Sequence, residues 1–386
     1  MKAAAFLYPW DVVGDPDAPA RLTGLGIRQV TLAAAYHSTR ALTPRHPRHR
    51  VVTAAHAAVL YPPGERWRGR ALQPCQAGDW APGDAYGQAA EALAAAGIDV
   101  HSWVVLAHSS RLGDDHPETS VVNAYGDRYP WAPCIARTAT RAYLVDLAAE
   151  AAARPGAHGV ELESCGWYGL AHLHAHDKTA GVGLGEAGQY LMSLCFCGSC
   201  REGYAGAGLD PDALAAAVRD AMEPVWRGAG EDPGWAGVEK LLGADRAAAT
   251  RVWRDEVART LQEAAVAAVR AAAPPDFQVL LHADPVPYHC GANAGVDPEH
   301  ILGVADGVVV PCGGGPEPLT PFRGRGGGVI AANFPVVAGM GGDPARLADD
   351  AARAAEHGAT ELRLYHAGLA SDGDLALVAE ALSRLE

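Results

Sequence analysis

The chain has 386 residues, 49% of them hydrophobic and 20% charged, with a formal net charge of −14. That is apolar material for one large core or two smaller ones. A mean hydropathy of −0.03 and the lack of any apolar run near about twenty residues exclude membrane-spanning helices, and the acid excess argues against a nucleic-acid partner, because phosphate binding needs a basic surface.

Met1-Lys2 leads straight into AAAFLYPWD without a basic n-region, a long apolar h-region or a small-residue cleavage site, so the expected location is the cytoplasm. Eight cysteines in such a chain are expected to be mostly reduced. Of the 31 basic residues only Lys2, Lys178 and Lys240 are lysines, which with the Ala and Gly excess reads as a GC-rich coding bias.

Along the chain, short β-rich runs alternate with Ala-rich helical stretches. The first run, Ala4–Tyr8, leads into Pro9-Trp10-Asp11, and the second is Gln29–Tyr36. The segment 37–83 then holds another β-like run, Val51–Tyr61, which would be a ninth strand if it joined the sheet. A helix over Asp84–Ala96 ends at Gly97, a suitable C-cap. Val100–Ala107, a helix over Arg141–Ala153, and Gly159–Glu163 follow. The segment 164–271 carries a helix from Asp210-Pro211 and another across Arg246–Ala272. The remaining runs are Phe277–Ala283, Gly307–Pro311, Gly328–Phe334 and Thr360–Tyr365. A helix over Pro344–Glu356, with Asp343 as N-cap, precedes the last of these, and Asp374–Leu385 closes the chain.

Most of the runs are continuously apolar, as parallel strands covered on both faces are. Eight strand-helix units predict an α/β fold, a closed (β/α)8 TIM barrel rather than an open doubly wound sheet, as one domain over 1–386. Such a barrel needs about 250 residues. The surplus falls after strands 2 and 4, at about 37–83 and 164–271, and insertions there are expected to roof the C-terminal, catalytic face.

No G-x-G-x-x-G follows the first strand, and Gly324–Gly328 precedes a strand and reads as a flexible connection, so a nicotinamide cofactor is not expected. There is no G-x-S-x-G elbow and no H-x-H on the first strand of the kind barrel metallohydrolases carry.

The sharpest local feature is Val160-Glu161-Leu162-Glu163-Ser164 at the end of strand 4. Side chains alternate along a strand, so Glu161 and Glu163 share a face; if it is the interior, Glu163 lies at the rim and Glu161 one layer below. Paired acids there push their pKa values apart, as a glycosidase or proton-transfer enzyme requires. The alternative is that one Glu faces out to pair with an Arg. The best-placed second carboxylate is Asp284, with His282 on the same face; Asp11 and Glu317 are weaker choices. Asp284 also suits an ordinary turn before Pro285. Strand 7 carries Asn333 and no acid, which argues against a nucleophilic Glu there.

Aromatic and His residues gather at the same strand ends: Tyr8, Trp10, Tyr36, His37, His108, Trp167, Tyr168, His282, Tyr365 and His366. Sugar rings stack their C–H faces on aromatics and need polar partners for their hydroxyls. No cofactor is required by such chemistry. Cys195-x-Cys197-x-x-Cys200 offers three soft ligands for a structural zinc if Cys165 or a histidine of His172-Leu173-His174-Ala175-His176 supplies a fourth; otherwise these are small buried side chains.

The succession HSSRLG at 108–113, NAYGD at 123–127, PWAPC at 130–134, GVELES at 159–164, GWYG at 166–169 and SLCFCGSCR at 193–201 resembles a family of glycoside-hydrolase-like barrel proteins, largely hypothetical, "alanine-rich" and bacterial. The resemblance implies the barrel, places Glu163 in the acid position of strand 4, and puts His108, Asn123 and His176 near the pocket. Relatives tend to read His-Glu-Lys where this chain has His176-Asp177-Lys178, and Leu-Cys-Pro where it has Pro133-Cys134-Ile135.

The reading is a glycosidase acting on a small or specialised-metabolite glycoside, with Glu163 as acid/base, or as nucleophile if Asp284 supplies the proton. Its rivals are a sugar isomerase or epimerase, with or without a divalent metal, and a carbohydrate-binding pseudoenzyme. No oligomeric state can be read from the sequence.

Overall fold

The computed structural model describes residues 1–172, 177–229, 233–326 and 328–385. Eight parallel strands close into a barrel: β1 (Lys2–Leu7), β2 (Gln29–Tyr36), β3 (Asp99–Val105), β4 (Ala157–Glu163), β5 (Gln278–Asp284), β6 (Gly307–Pro311), β7 (Val329–Pro335) and β8 (Glu361–Tyr365). Each pairs with its sequence neighbour, and β1 pairs with both β2 and β8, so the sheet has no edge. Helices α1 (Ala18–Gly24), α2 (Ala85–Ala95), α3 (Thr138–Ala152), α4 (Ala244–Ala272) and α5 (Pro298–Val304) follow β1 to β5. A 3-10 turn, Glu317–Phe322, follows β6, and α6 (Leu347–Glu356) and α7 (Asp372–Ser383) follow β7 and β8. This is the (β/α)8 TIM barrel expected from the alternation.

The outward faces of the strands and the inward stripes of the helices form one apolar core. The barrel interior is different. It holds a small apolar plug of Leu280, Val309 and Ala331, and beside it buried polar side chains from β2, β3, β4, β5 and β8. Helix starts follow local chemistry: Asp84 accepts from Gly87 N at the head of α2, and Asp297 from the Glu299 and His300 amides at the head of α5. Gly97 takes φ 73 just past α2, as its C-cap role requires.

Two local expectations are corrected. Val51–Tyr61 is not a ninth barrel strand. Val51–Ala54 pairs antiparallel with Thr39–Leu42, and Ala58–Val59 pairs antiparallel with the end of β2. Asp343 makes no side-chain cap, because a 3-10 turn, Pro344–Arg346, intervenes before α6. Between β3 and α3 lies a hairpin, Ser120–Val122 with Arg128–Pro133; between β4 and α4 lie helices Gly185–Met192, Gly198–Gly206, Pro211–Trp226 and Gly234–Leu242. No helix among the described residues is long and apolar enough to cross a membrane.

Candidate functional site

The two carboxylates of β4 point into the barrel at different heights and meet different surroundings. Glu161 is fully buried and accepts from Arg363 Nε at 2.7 Å and from Thr31 Oγ1 at 3.0 Å. His282 Nε2 stands 3.4 Å from its second oxygen, and His101 Nδ1 3.9 Å from its first. Burial alone would raise its pKa; the Arg363 guanidinium, then His282 and His101, overcome this and hold the carboxyl at about 2. Arg363 is equally buried and also donates to Glu361 at 2.8 Å. Glu161 is therefore the ionised half of an ion pair spanning the barrel from β4 to β8.

Glu163 lies one layer higher. It accepts from Trp103 Nε1 at 2.7 Å, and His282 Nδ1 lies 3.9 Å from the same oxygen. Burial pushes this carboxyl above its ordinary range, against the lowering effects of His282 and Trp103. One strand thus holds a carboxyl lowered in pKa and another raised, with His282 between them. The causes are an arginine that outweighs burial for one, and burial that outweighs His282 and Trp103 for the other.

Glu163, His282, Asn293, Asn333, Tyr365 and His366 line a cavity of about 360 Å³ at the C-terminal ends of β4 to β8, with Val337 and Met340 also on its lining. That volume suits a small ligand. Among the described residues of its lining, Glu163 is the one carboxylate. Asn333 Oδ1 and His366 Nδ1 are buried without a protein partner. Among the described residues, the two non-glycines with positive φ are Ser164 (55°) and His366 (62°), each directly following a cavity-lining strand end. Left-handed backbone at such residues costs about 1–3 kcal/mol and collects at functional sites.

An aromatic shell continues the rim. Tyr8 stacks on Trp10 at 4.5 Å and on His366 at 5.8 Å, and meets Tyr36 edge-on at 5.0 Å. His108 stacks on Tyr168 at 4.1 Å and meets His37 at 4.8 Å, and its Nδ1 lies 3.2 Å from the Trp131 carbonyl. Burial lowers His37 to about 4 and both His108 and His366 to about 3, so all three are neutral at pH 7.

The architecture is shared with solved glycoside hydrolases. The glycoside hydrolase domain of PgaB (BpsB) from Bordetella bronchiseptica aligns over 99% of this chain and 97% of its own, at 15% identity and a TM-score of 0.57. The catalytic domain of a β-amylase from Paenibacillus polymyxa aligns over the same shares at 12% identity, also with a TM-score of 0.57. α-L-Fucosidase isoenzyme 2 from Paenibacillus thiaminolyticus aligns over all of this chain, at 12% identity and a TM-score of 0.58. The chain spans only 49% of that fucosidase and 59% of a β-galactosidase from Marinomonas ef1. No family model and no curated protein matches the sequence. The fold is glycoside-hydrolase-like.

Within that fold the residues singled out from sequence separate into groups. Glu163, His282, Asn333 and His366 meet in the cavity. Tyr8, Trp10, His37 and His108 form the adjoining shell. Asp284 is not brought to Glu163's cavity. It accepts from Val286 N at 2.8 Å and lies 3.0 Å from His289 Nδ1, lining a neighbouring cavity with Glu186, Gln189, Tyr288 and His289. Asn123 is tied into the 120–133 hairpin, donating to Asp127 and Tyr129. Trp167 donates to the Arg254 carbonyl and lies under that guanidinium. His174 and His176 lie outside the described residues. Asp11 accepts from Tyr8 N, and Glu317 sits on the turn after β6. Cys195, Cys197 and Cys200 do cluster, and the fourth thiol beside them is Cys134 rather than Cys165.

Two partners escaped the sequence reading. Arg363 is the one arginine on the inner face of β8, and its alternation with Glu361 and Tyr365 was the available signal. Cys134 closes the hairpin as a solitary cysteine without ligand spacing, so only the fold shows where it goes.

Proposed function

We propose that this chain is a carbohydrate-active enzyme that hydrolyses a small glycoside, with Glu163 as the proton donor. The observation that carries the reading is the placement of Glu163: a buried carboxyl oriented by Trp103 in the wall of a cavity of about 360 Å³, where burial shifts its pKa upward. A general acid must keep its proton near neutral pH and present it to the glycosidic oxygen. Proton transfer from Glu163 lets the C–O bond break with the leaving group departing as a neutral alcohol. Water then adds its hydroxyl to the anomeric carbon, and its proton restores Glu163. Asn333 and His366 offer polar groups to sugar hydroxyls, and Tyr365 offers a ring to a sugar face. The likeness in fold to fucosidase, β-galactosidase and β-amylase structures supports the substrate class.

A second reading has its own support. With Glu163 as the single carboxylate among the described lining residues, the cavity also fits a protein that binds a sugar without hydrolysing it. The deciding experiment is turnover of a panel of alkyl glycosides and disaccharides, whose leaving groups need protonation, by the wild type and Glu163→Gln, alongside calorimetric binding of the free sugars. Hydrolysis that falls by about 10²–10⁴-fold in Glu163→Gln, with the fold retained, is the expected result. Near-wild-type turnover in the variant removes Glu163 from the chemistry; sugar binding without turnover in either protein selects the second reading.

A further inference from the structure

We infer that Cys134, Cys195, Cys197 and Cys200 form a tetrathiolate site for a structural zinc ion that fastens together the two connections leaving β3 and β4. The site lies outside the cavity and does not depend on the hydrolase reading.

The four Sγ atoms all lie within 4.8 Å of one another, and all four residues are buried. Cys134 Sγ is 3.5 Å from Cys197 Sγ, 3.6 Å from Cys200 Sγ and 3.7 Å from Cys195 Sγ. Tetrahedral zinc with Zn–S bonds of about 2.3 Å places its sulfurs about 3.8 Å apart. The observed separations match that edge and are far from the roughly 2.05 Å of a disulfide. All eight cysteines are free thiols.

The surrounding backbone suits thiolates. The amides of Val122 and Cys197 both point at Cys195 Sγ, each at 3.5 Å. Such N–H groups stabilise negative charge on sulfur and orient the ligand, the usual outer-shell arrangement of a metal site. An all-sulfur tetrahedral set selects zinc or iron over harder metals. Closed four-ligand coordination leaves no open position, so the role is structural rather than catalytic.

The mechanical consequence follows from where the ligands sit. Cys134 ends the 120–133 hairpin after β3, and the other three begin the Gly198–Gly206 helix region after β4. The same connections are joined by Phe196 N to the Val122 carbonyl at 2.6 Å and by the Tyr129 hydroxyl to the Met192 carbonyl at 2.8 Å. The same hairpin presents the Trp131 carbonyl beside His108 on the rim. A zinc ion here fixes the position of that wall.

The test is elemental analysis of protein purified without added metal, with cobalt(II) substitution as a spectroscopic reading of ligand identity. About one zinc per chain is expected. It should be retained in Cys165→Ser, whose thiol lies outside the cluster, and lost in Cys134→Ser. The cobalt form should show the sulfur-to-metal charge-transfer bands of a tetrahedral tetrathiolate. Stripping the wild type with a strong chelator should lower its Tm, and zinc should restore it, a comparison that does not need the Cys134 variant to fold. Metal-free wild type of unchanged Tm, iron in place of zinc, disulfides among the four cysteines, or full zinc in a folded Cys134→Ser would each overturn the inference.

Discussion

At the scale of single residues, the informative contrast is between two glutamates separated by one leucine. Glu161 is held at about 2 by a cation, and Glu163 is raised by burial. The hydrogen bond from Trp103 is one of the few influences that lowers Glu163. Removing it in Trp103→Phe should move the pKa of Glu163 further up. If Glu163 must carry its proton to act, activity fails as pH rises through that pKa, so the alkaline limb of the kcat/KM profile should shift to higher pH. A limb that stays in place in a folded Trp103→Phe protein would mean that another group sets it.

The element scale shows how much was legible beforehand and why. The barrel strands stand out in the sequence because they are buried on both faces and most read as largely apolar runs, as β6 does with GVVVP. The same parity argument placed Glu161 and Glu163 on one face. It did not supply their partners, because Arg363 lies 202 residues further along the chain and reaches Glu161 across the barrel rather than along a ladder. Asp284 shares parity with His282 but rises beyond the layer of Glu163 and turns to His289, a consequence of the Pro285 turn that alternation does not encode. Inter-strand fit is equally specific. Gly159 on β4 lies against the ring of His101 on β3; a Cβ there would stand 2.6 Å from Nε2 of a buried imidazole. Gly159→Ala should lower stability by about 1–3 kcal/mol, read as a lower urea midpoint at an unchanged m-value. A midpoint equal to wild type would mean that the ring has another place to go.

At the scale of the whole molecule, the buried imidazoles dominate the response to acid. His101, His108 and His366 sit at about 3 and His37 at about 4, each lowered first of all by burial. Their unfolded counterparts take up protons near about pH 6.5. A folded pKa below the unfolded one contributes stability above the unfolded value and loses it as pH falls. Glu161, at about 2, adds a further loss at lower pH. Asp11, raised to about 7 by burial, and Glu163 and His289, also raised, pull the other way, since their contributions fade as pH rises. With four lowered histidines set against these groups and Asp255, which is also raised, the urea midpoint is expected to drop between pH 7 and pH 5. A midpoint that is level or higher at pH 5 would show that these rings are hydrated enough to charge within the fold.

The ion pair inside the barrel also bears on the order in which the chain becomes a protein. Glu161 emerges from the ribosome long before Arg363, which among the described residues is the guanidinium that pairs with it in the finished fold. A half-made barrel that collapsed around β4 would have to bury a carboxylate without its cation, or neutralise it, and either state is costly. The ion pair is therefore completed only when the final strand is in place. The last barrel strand to be synthesised thus carries the counter-charge of a carboxylate buried at the middle of the barrel.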